Sequence, residues 1–118
     1  MTIRNLSGAV DFTVLEAMTG GLDEVTLEVL DIYVQQAALW APLLDISHEG
    51  CNDALHTLRG ASAGIGANAL AALCAVAEGQ SDPNSANVAV GRVLSSLNQT
   101  LSDVAAYRHG LLLRSLKA

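Results

Sequence analysis

Three residues at helical and hairpin spacing carry the chemistry this chain offers. His56 lies within LHTLRGASAGIGA, residues 55–67; Arg59 follows one turn later, and Glu78 comes at the end of the next apolar run. A carboxylate that accepts the Nδ1 hydrogen of an imidazole fixes its tautomer and aims the Nε2 lone pair outward, which makes an activated nucleophile. A guanidinium one turn away brings a charge that does not titrate and a donor fork suited to phosphoryl oxygens. Gly60 and Gly64 clear side chains from the same stretch, so a partner can come close to the ring. The chemistry expected is acceptance of a phosphoryl group by His56.

That grouping requires a hairpin. If the chain reverses near Gly66 and Ala67, His56 lies about ten residues before the reversal and Glu78 about eleven after it, so both stand roughly 15 to 17 Å from the turn. Cys51, Leu55, Leu58, Ser62 and Ile65 alternate steps of four and three, the buried seam of a bundle helix. At about 100° per residue, His56 falls roughly 140° from the centre of that seam and is directed outward. Glu49, Asn52, Gly60 and Ala63 share its side of the wheel, so Asn52, Gly60, Ala63 and Gly64 are the expected partner-facing residues.

The remaining elements follow from caps and periodicity. Beyond an irregular N-terminal lead, Asp11 caps a short helix, FTVLEAM, with Phe12, Leu15 and Met18 as its apolar positions and Gly20 and Gly21 as its stop. It is too short to stand alone and reads as a lid. Asp23 restarts helix, which runs through Val25, Leu30 and Val34 to Trp40 and on to about residue 45, with a defect where Pro42 removes a backbone donor. Ser47 is the candidate N-cap of the His56 helix, with His48 and Glu49 in its first turn. After the Gly66 and Asn68 turn, ALAALCAVAE buries Leu70, Leu73, Cys74 and Ala77 and stops at Gly79. Asp82 and Pro83 then open a last helix with Val88, Val90, Val93, Leu97, Leu101, Val104, Leu111 and Leu112 on its apolar face. The fold expected is all-α: an antiparallel, up-down-up-down four-helix bundle with a short N-terminal lid helix, one domain over residues 1–118.

Composition sets other classes aside. Half the residues are apolar (51%) and only 3% aromatic, the profile of a folded Ala/Leu/Val helical protein. The net charge is −6, and the six cations, Arg4, Arg59, Arg92, Arg108, Arg114 and Lys117, are scattered, so no basic patch suits nucleic acid. Residues 60–77 carry no charge, but Gly64, Gly66, Ser62 and Asn68 make them a poor membrane span. With no secretory signal in MTIRNLSGAVDF and no CxxC pair, Cys51 and Cys74 read as buried thiols of a cytoplasmic protein. Neither has the close companions that a zinc site needs. His48 and His109 have no partner residues of the kind found around His56 and read as structural or solvated.

The run HTLRGASAGIGANALAALCAVAE, residues 56–78, resembles the signature of the histidine-containing phosphotransfer domains. There an exposed histidine is followed by x-Leu-Lys-Gly, small residues, an Ile-Gly-Ala turn, a Leu and a Glu or Gln. Tyr33 falls where that family usually has Phe. The resemblance implies that His56 is the phosphoacceptor, that Arg59 takes the place of the usual lysine and contacts the phosphoryl group, and that Glu78 orients the imidazole. It implies that Gly60 gives clearance, and that Ala63, Ile65 and Gly66 are packing and turn residues. Arg59 keeps the lysine's charge but not its shape, and Gly64 stands where a larger polar residue is common. The function implied is a relay step from one receiver-domain aspartate to another, with partners in response regulators or hybrid histidine kinases. The receiver would supply Mg²⁺, so the chain itself needs no cofactor or metal.

The chain has no glycine-rich phosphate loop and no ATP-binding box, so no autonomous kinase activity is expected. A single bundle makes a monomer the simplest expectation. The alternative from another class is a helical scaffold that binds receivers without being phosphorylated; a haem or metal-binding bundle is a third.

Overall fold

The computed structural model describes residues 6–116, all of whose regular structure is helical. Arg4 and Lys117, counted among the scattered cations, lie outside the described residues, as does the N-terminal lead before residue 6. Five α-helices follow in order: α1 (Phe12–Thr19), α2 (Asp23–Trp40), α3 (Cys51–Gly64), α4 (Asn68–Glu78) and α5 (Pro83–Leu116), with a single 3₁₀ turn, Ala41–Leu43, after α2. α3 packs on α4, α4 on α5, and α2 on α5, α3 and α1. The helices α2 to α5 form the bundle, and α1 is the lid.

The core is one cluster in which Leu15, Leu30, Leu58, Leu70, Val93, Leu97 and Val104 are fully buried. Each such side chain contributes about 1.5 to 3 kcal/mol relative to exposure. All five residues of the α3 seam, Cys51, Leu55, Leu58, Ser62 and Ile65, are buried as the spacing predicts. Ser62 is the polar member, and its hydroxyl meets that of Tyr33 at 2.9 Å. A phenol in place of a phenyl on α2 is thereby accommodated in the core, since both polar atoms are satisfied. Burial pushes the Tyr33 hydroxyl up to about 12, although the Ser62 bond pulls the other way.

The turn between α3 and α4 depends on Gly66. Its φ is +90°, and a Cβ there would stand 2.3 Å from the Asp11 carbonyl oxygen. The Asp11 amide donates to the Gly66 carbonyl at 2.9 Å, so the start of α1 is seated on this turn. Asp11 also caps α1 by accepting from the Thr13 amide, and Gly20 ends it in the left-handed region. The ring of Phe12 stacks on Tyr107 of α5 with centroids 3.9 Å apart. The lid therefore closes the turn end of the hairpin, about three helical turns from His56.

Several expectations need correction. Ser47 does not cap α3: the Asp45 carboxylate takes the Ser47 amide at 2.9 Å and its hydroxyl at 2.7 Å, and this turn delays the helix to Cys51. His48 and Glu49 consequently lie in the preceding loop, where His48 Nδ1 accepts from the Gly50 amide. α2 stops at Trp40 instead of reaching residue 45, because the Pro42 segment tightens to a 3₁₀ turn. Met18 is exposed (55%), since Thr19 takes the inward position and bonds Thr26 at 2.7 Å. Val88 and Leu112 are also exposed, because each lies on the outer side of α5 beside a neighbour that takes the inward position, Ala89 and Leu111.

The irregular lead is held where it enters the described residues. Asp103, only 1% exposed on α5, accepts from the amide and hydroxyl of Ser7 and from the Ala9 amide, at 2.9 to 3.1 Å. These donors satisfy the buried carboxylate.

Candidate functional site

The site is built from one face of α3 and the last turn of α4. His56 follows the buried Leu55 and precedes the buried Leu58, so helical geometry turns it away from the core; its side chain is 68% exposed. Glu78 ends α4 four residues after the buried Cys74, and its side chain is only 15% exposed. The antiparallel hairpin sets these two residues at the same height, as the count through Gly66 predicts.

His56 Nδ1 lies 3.2 Å from Glu78 Oε1. Arg59 Nη1 lies 3.2 Å from Glu78 Oε2, and Arg59 Nη2 lies 3.0 Å from His56 Nδ1. The three side chains thus form a closed triangle, with both ends of the guanidinium fork in use. Glu78 Oε1 is buried and has no donor aligned on it, even though His56 Nδ1 is near. His56 Nδ1 and Glu78 Oε1 are within reach of each other, but alignment denies them a hydrogen bond in this arrangement.

The triangle leaves Nε2 as the ring's free nitrogen on an exposed side chain. Burial, and to a lesser degree the nearby Glu78 charge, push the Cys74 thiol up to about 11, while Arg59 opposes them. Cys51 is raised by burial as well, so both thiols stay protonated near neutrality.

Asn52, Gly60, Ala63 and Gly64 are all exposed on α3. A Cβ at Gly60 or Gly64 would meet nothing within 4 Å. Their absent side chains therefore serve no internal packing, and the surface beside His56 is flat for reasons outside the bundle. His109 is exposed and makes no side-chain bond in this region, while His48 is engaged with its own loop. Among the described residues, no group of three or more His, Cys, Asp or Glu is placed to hold a metal ion. No helix of the described residues is long and apolar enough to cross a membrane.

Sequence reasoning found all three members of the triangle, and an interhelical Arg59–Glu78 ion pair was its competing reading beside contact with an external phosphoryl group. The structure shows that pair, and what was not foreseen is the second arm of the guanidinium on His56 Nδ1. The i, i+3 spacing of His56 and Arg59 was the available signal, since residues so placed are neighbours on a helix surface.

Comparison with known proteins accords with this geometry. No curated protein matches. Among solved structures, the chain is similar to the crystal structure of histidine phosphotransferase ShpA from Caulobacter crescentus at 1.52 Å, with 43% identity over 92% of this chain and 99% of that one, and a TM-score of 0.82. The Hpt domain profile matches residues 24–107, which span the bundle and include His56, Arg59, Gly60 and Glu78. With its exposed histidine on a helical hairpin and a profile match over most of its length, the chain belongs to the Hpt domain family.

Proposed function

We propose that this protein is a phosphorelay intermediate in which His56 takes a phosphoryl group from the aspartate of one receiver domain and gives it to the aspartate of another. A phosphorelay role in general follows from family membership. The observation that carries the finer reading is the exposed ring of His56 with Glu78 at its Nδ1 edge.

In the forward step the Nε2 lone pair attacks phosphorus, the Nε2–P bond forms, the P–O bond to the donor aspartate breaks, and the carboxylate leaves with the bonding pair. The attacking ring is neutral with its proton on Nδ1, so it gains positive character as the bond forms. Glu78 is placed to balance that charge at Nδ1 and to hold the ring plane, the role an acidic orienter plays beside other nucleophilic systems. Transfer onward is the same step reversed on a second aspartate. The receiver supplies Mg²⁺ and most of the catalytic groups, and this chain supplies the nucleophile, its orientation and a flat landing surface at Gly60, Ala63, Gly64 and Asn52. The chain acts as a carrier and has no kinase activity of its own.

Incubation with a receiver charged by radiolabelled acetyl phosphate tests this. The expected result is acid-labile, alkali-stable label on the protein, absent from His56→Ala. Label retained in His56→Ala overturns the assignment of His56, and receiver binding without any label supports the scaffold alternative.

A further inference from the structure

The contacts at His56 Nδ1 cannot all be hydrogen bonds at once. A guanidinium only donates, so Arg59 Nη2, at 3.0 Å, bonds Nδ1 when that nitrogen is bare and the ring proton is on Nε2. A carboxylate only accepts, so Glu78 Oε1, at 3.2 Å, bonds Nδ1 only when the proton is there instead and the two groups have turned into line. The arrangement satisfies the first: Glu78 Oε1 is buried without an aligned donor, and Arg59 Nη1 is anchored on Glu78 Oε2.

We propose that Arg59 is a positioning residue that gates the tautomer of His56. This inference rests on the reading of His56 as phosphoacceptor. With Arg59 folded back, the ring rests with its proton on Nε2, and its lone pair faces Arg59 on the inner edge. In that form the outward nitrogen is not a nucleophile. An incoming phosphoryl group draws the guanidinium off Nδ1 to its own oxygens. Nε2 then releases its proton to water and Nδ1 takes one from water, with no net change, and the new Nδ1–H bonds Glu78 Oε1. The ring's exposure admits the water that this exchange needs. The lone pair now points outward only when a phosphoryl group is present to receive it.

The gate requires a fork. Nη1 and Nη2 reach Glu78 and His56 together, which one ammonium nitrogen does less well because it lacks the planar spacing. The arginine at this position thus gains a role that charge alone does not explain.

The tautomer is read directly from two-bond ¹H–¹⁵N correlations of histidine-labelled protein at about pH 8, where an ordinary imidazole is neutral. His48 is the internal reference: its Nδ1 accepts from the Gly50 amide, so its proton is on Nε2. The expected pattern for His56 in the wild type matches that of His48. In Arg59→Ala the Nδ1–H form of His56 should rise about tenfold relative to the Nε2–H form, because Glu78 is then its sole partner, and Glu78→Ala in the same background should reverse the shift. His48 and His109 signals unchanged in both variants show that the fold is intact. A wild-type ring already in the Nδ1–H form, or an Arg59→Ala ring that keeps the wild-type pattern, overturns the gate. Neither readout uses a phosphoryl donor, so a normal tautomer switch in a protein that takes no label would refute the phosphoacceptor reading while leaving Arg59's hold on the resting tautomer in place.

Discussion

Gly60 offers the sharpest test, because one substitution should move stability and transfer in opposite directions. Gly60 is in the interior of α3 and exposed, and a Cβ built there meets nothing within 4 Å. Gly60→Ala therefore has no steric cost inside the bundle and recovers the helix propensity that glycine forfeits, about 1 kcal/mol. For a domain of this size that raises Tm by about 4 °C. Docking should change the other way. Gly60 is one turn beyond His56 on the exposed side, where a receiver must lie flat to bring its aspartate to Nε2. A methyl there holds the surfaces apart, and a leucine does so more. A loss of about 1.4 kcal/mol in the docked complex is a tenfold loss in kcat/KM for transfer. Gly60→Ala and Gly60→Leu should thus melt above the wild type yet accept phosphoryl groups progressively more slowly, measured by rapid-quench transfer from a labelled receiver. Gly91→Ala is the control: Gly91 is in α5, exposed and equally free of neighbours, so it should give the stabilisation without the loss. Wild-type transfer rates in Gly60→Leu, or a lower Tm in Gly60→Ala, would refute the clearance argument.

Three further outcomes are expected. Glu78→Ala should slow phosphorylation of His56 by about tenfold or more without abolishing it, since about 1.4 kcal/mol of orientation and charge balance is lost while the nucleophile remains; unchanged rates would remove Glu78 from its role. Gly66→Ala should destabilise the fold by about 2 to 3 kcal/mol in urea denaturation, combining the strain of a positive φ with the displaced Asp11 carbonyl, and a stability equal to wild type would contradict the seating of α1 on this turn. Stability should fall as pH rises through the alkaline range. The Cys74 thiol and Tyr33 hydroxyl are raised in the folded state to about 11 and 12, from ordinary values of 9 and 10, so the unfolded chain loses those protons first. Their contribution is whole below about pH 9 and is lost between pH 9 and 11 for Cys74 and between pH 10 and 12 for Tyr33. Denaturation midpoints across that range should fall less steeply in Tyr33→Phe; identical slopes would exclude Tyr33 as a source.

What the sequence determined by itself is the part governed by period and by counting. The steps of four and three from Cys51 to Ile65 set the buried face of α3, and the opposite face, with His56 on it, follows from helix geometry. The distance from His56 to Glu78 through Gly66 follows from rise per residue, because an antiparallel hairpin matches equal counts on either side of its turn. Caps were less legible where two local bonds compete. Ser47 is a good N-cap in isolation, yet Asp45 two residues earlier captures it, and nothing in residue type ranks one short-range bond over the other.

Tertiary structure alone decided the contacts between segments far apart in the chain. Asp103 reads as one more polar residue in a long helix until Ser7 and Ala9 arrive 96 and 94 positions away to donate to it. Tyr33 became a core residue because Ser62 lies where its hydroxyl needs a partner. At the site the division is finest. Spacing brings Arg59 beside His56 and counting brings Glu78 to the same height, but a long side chain has many rotamers of similar energy. Only the half-buried carboxylate of Glu78, delivered by the hairpin, selects the rotamer that turns the guanidinium back onto Nδ1, and with it the state in which the histidine waits.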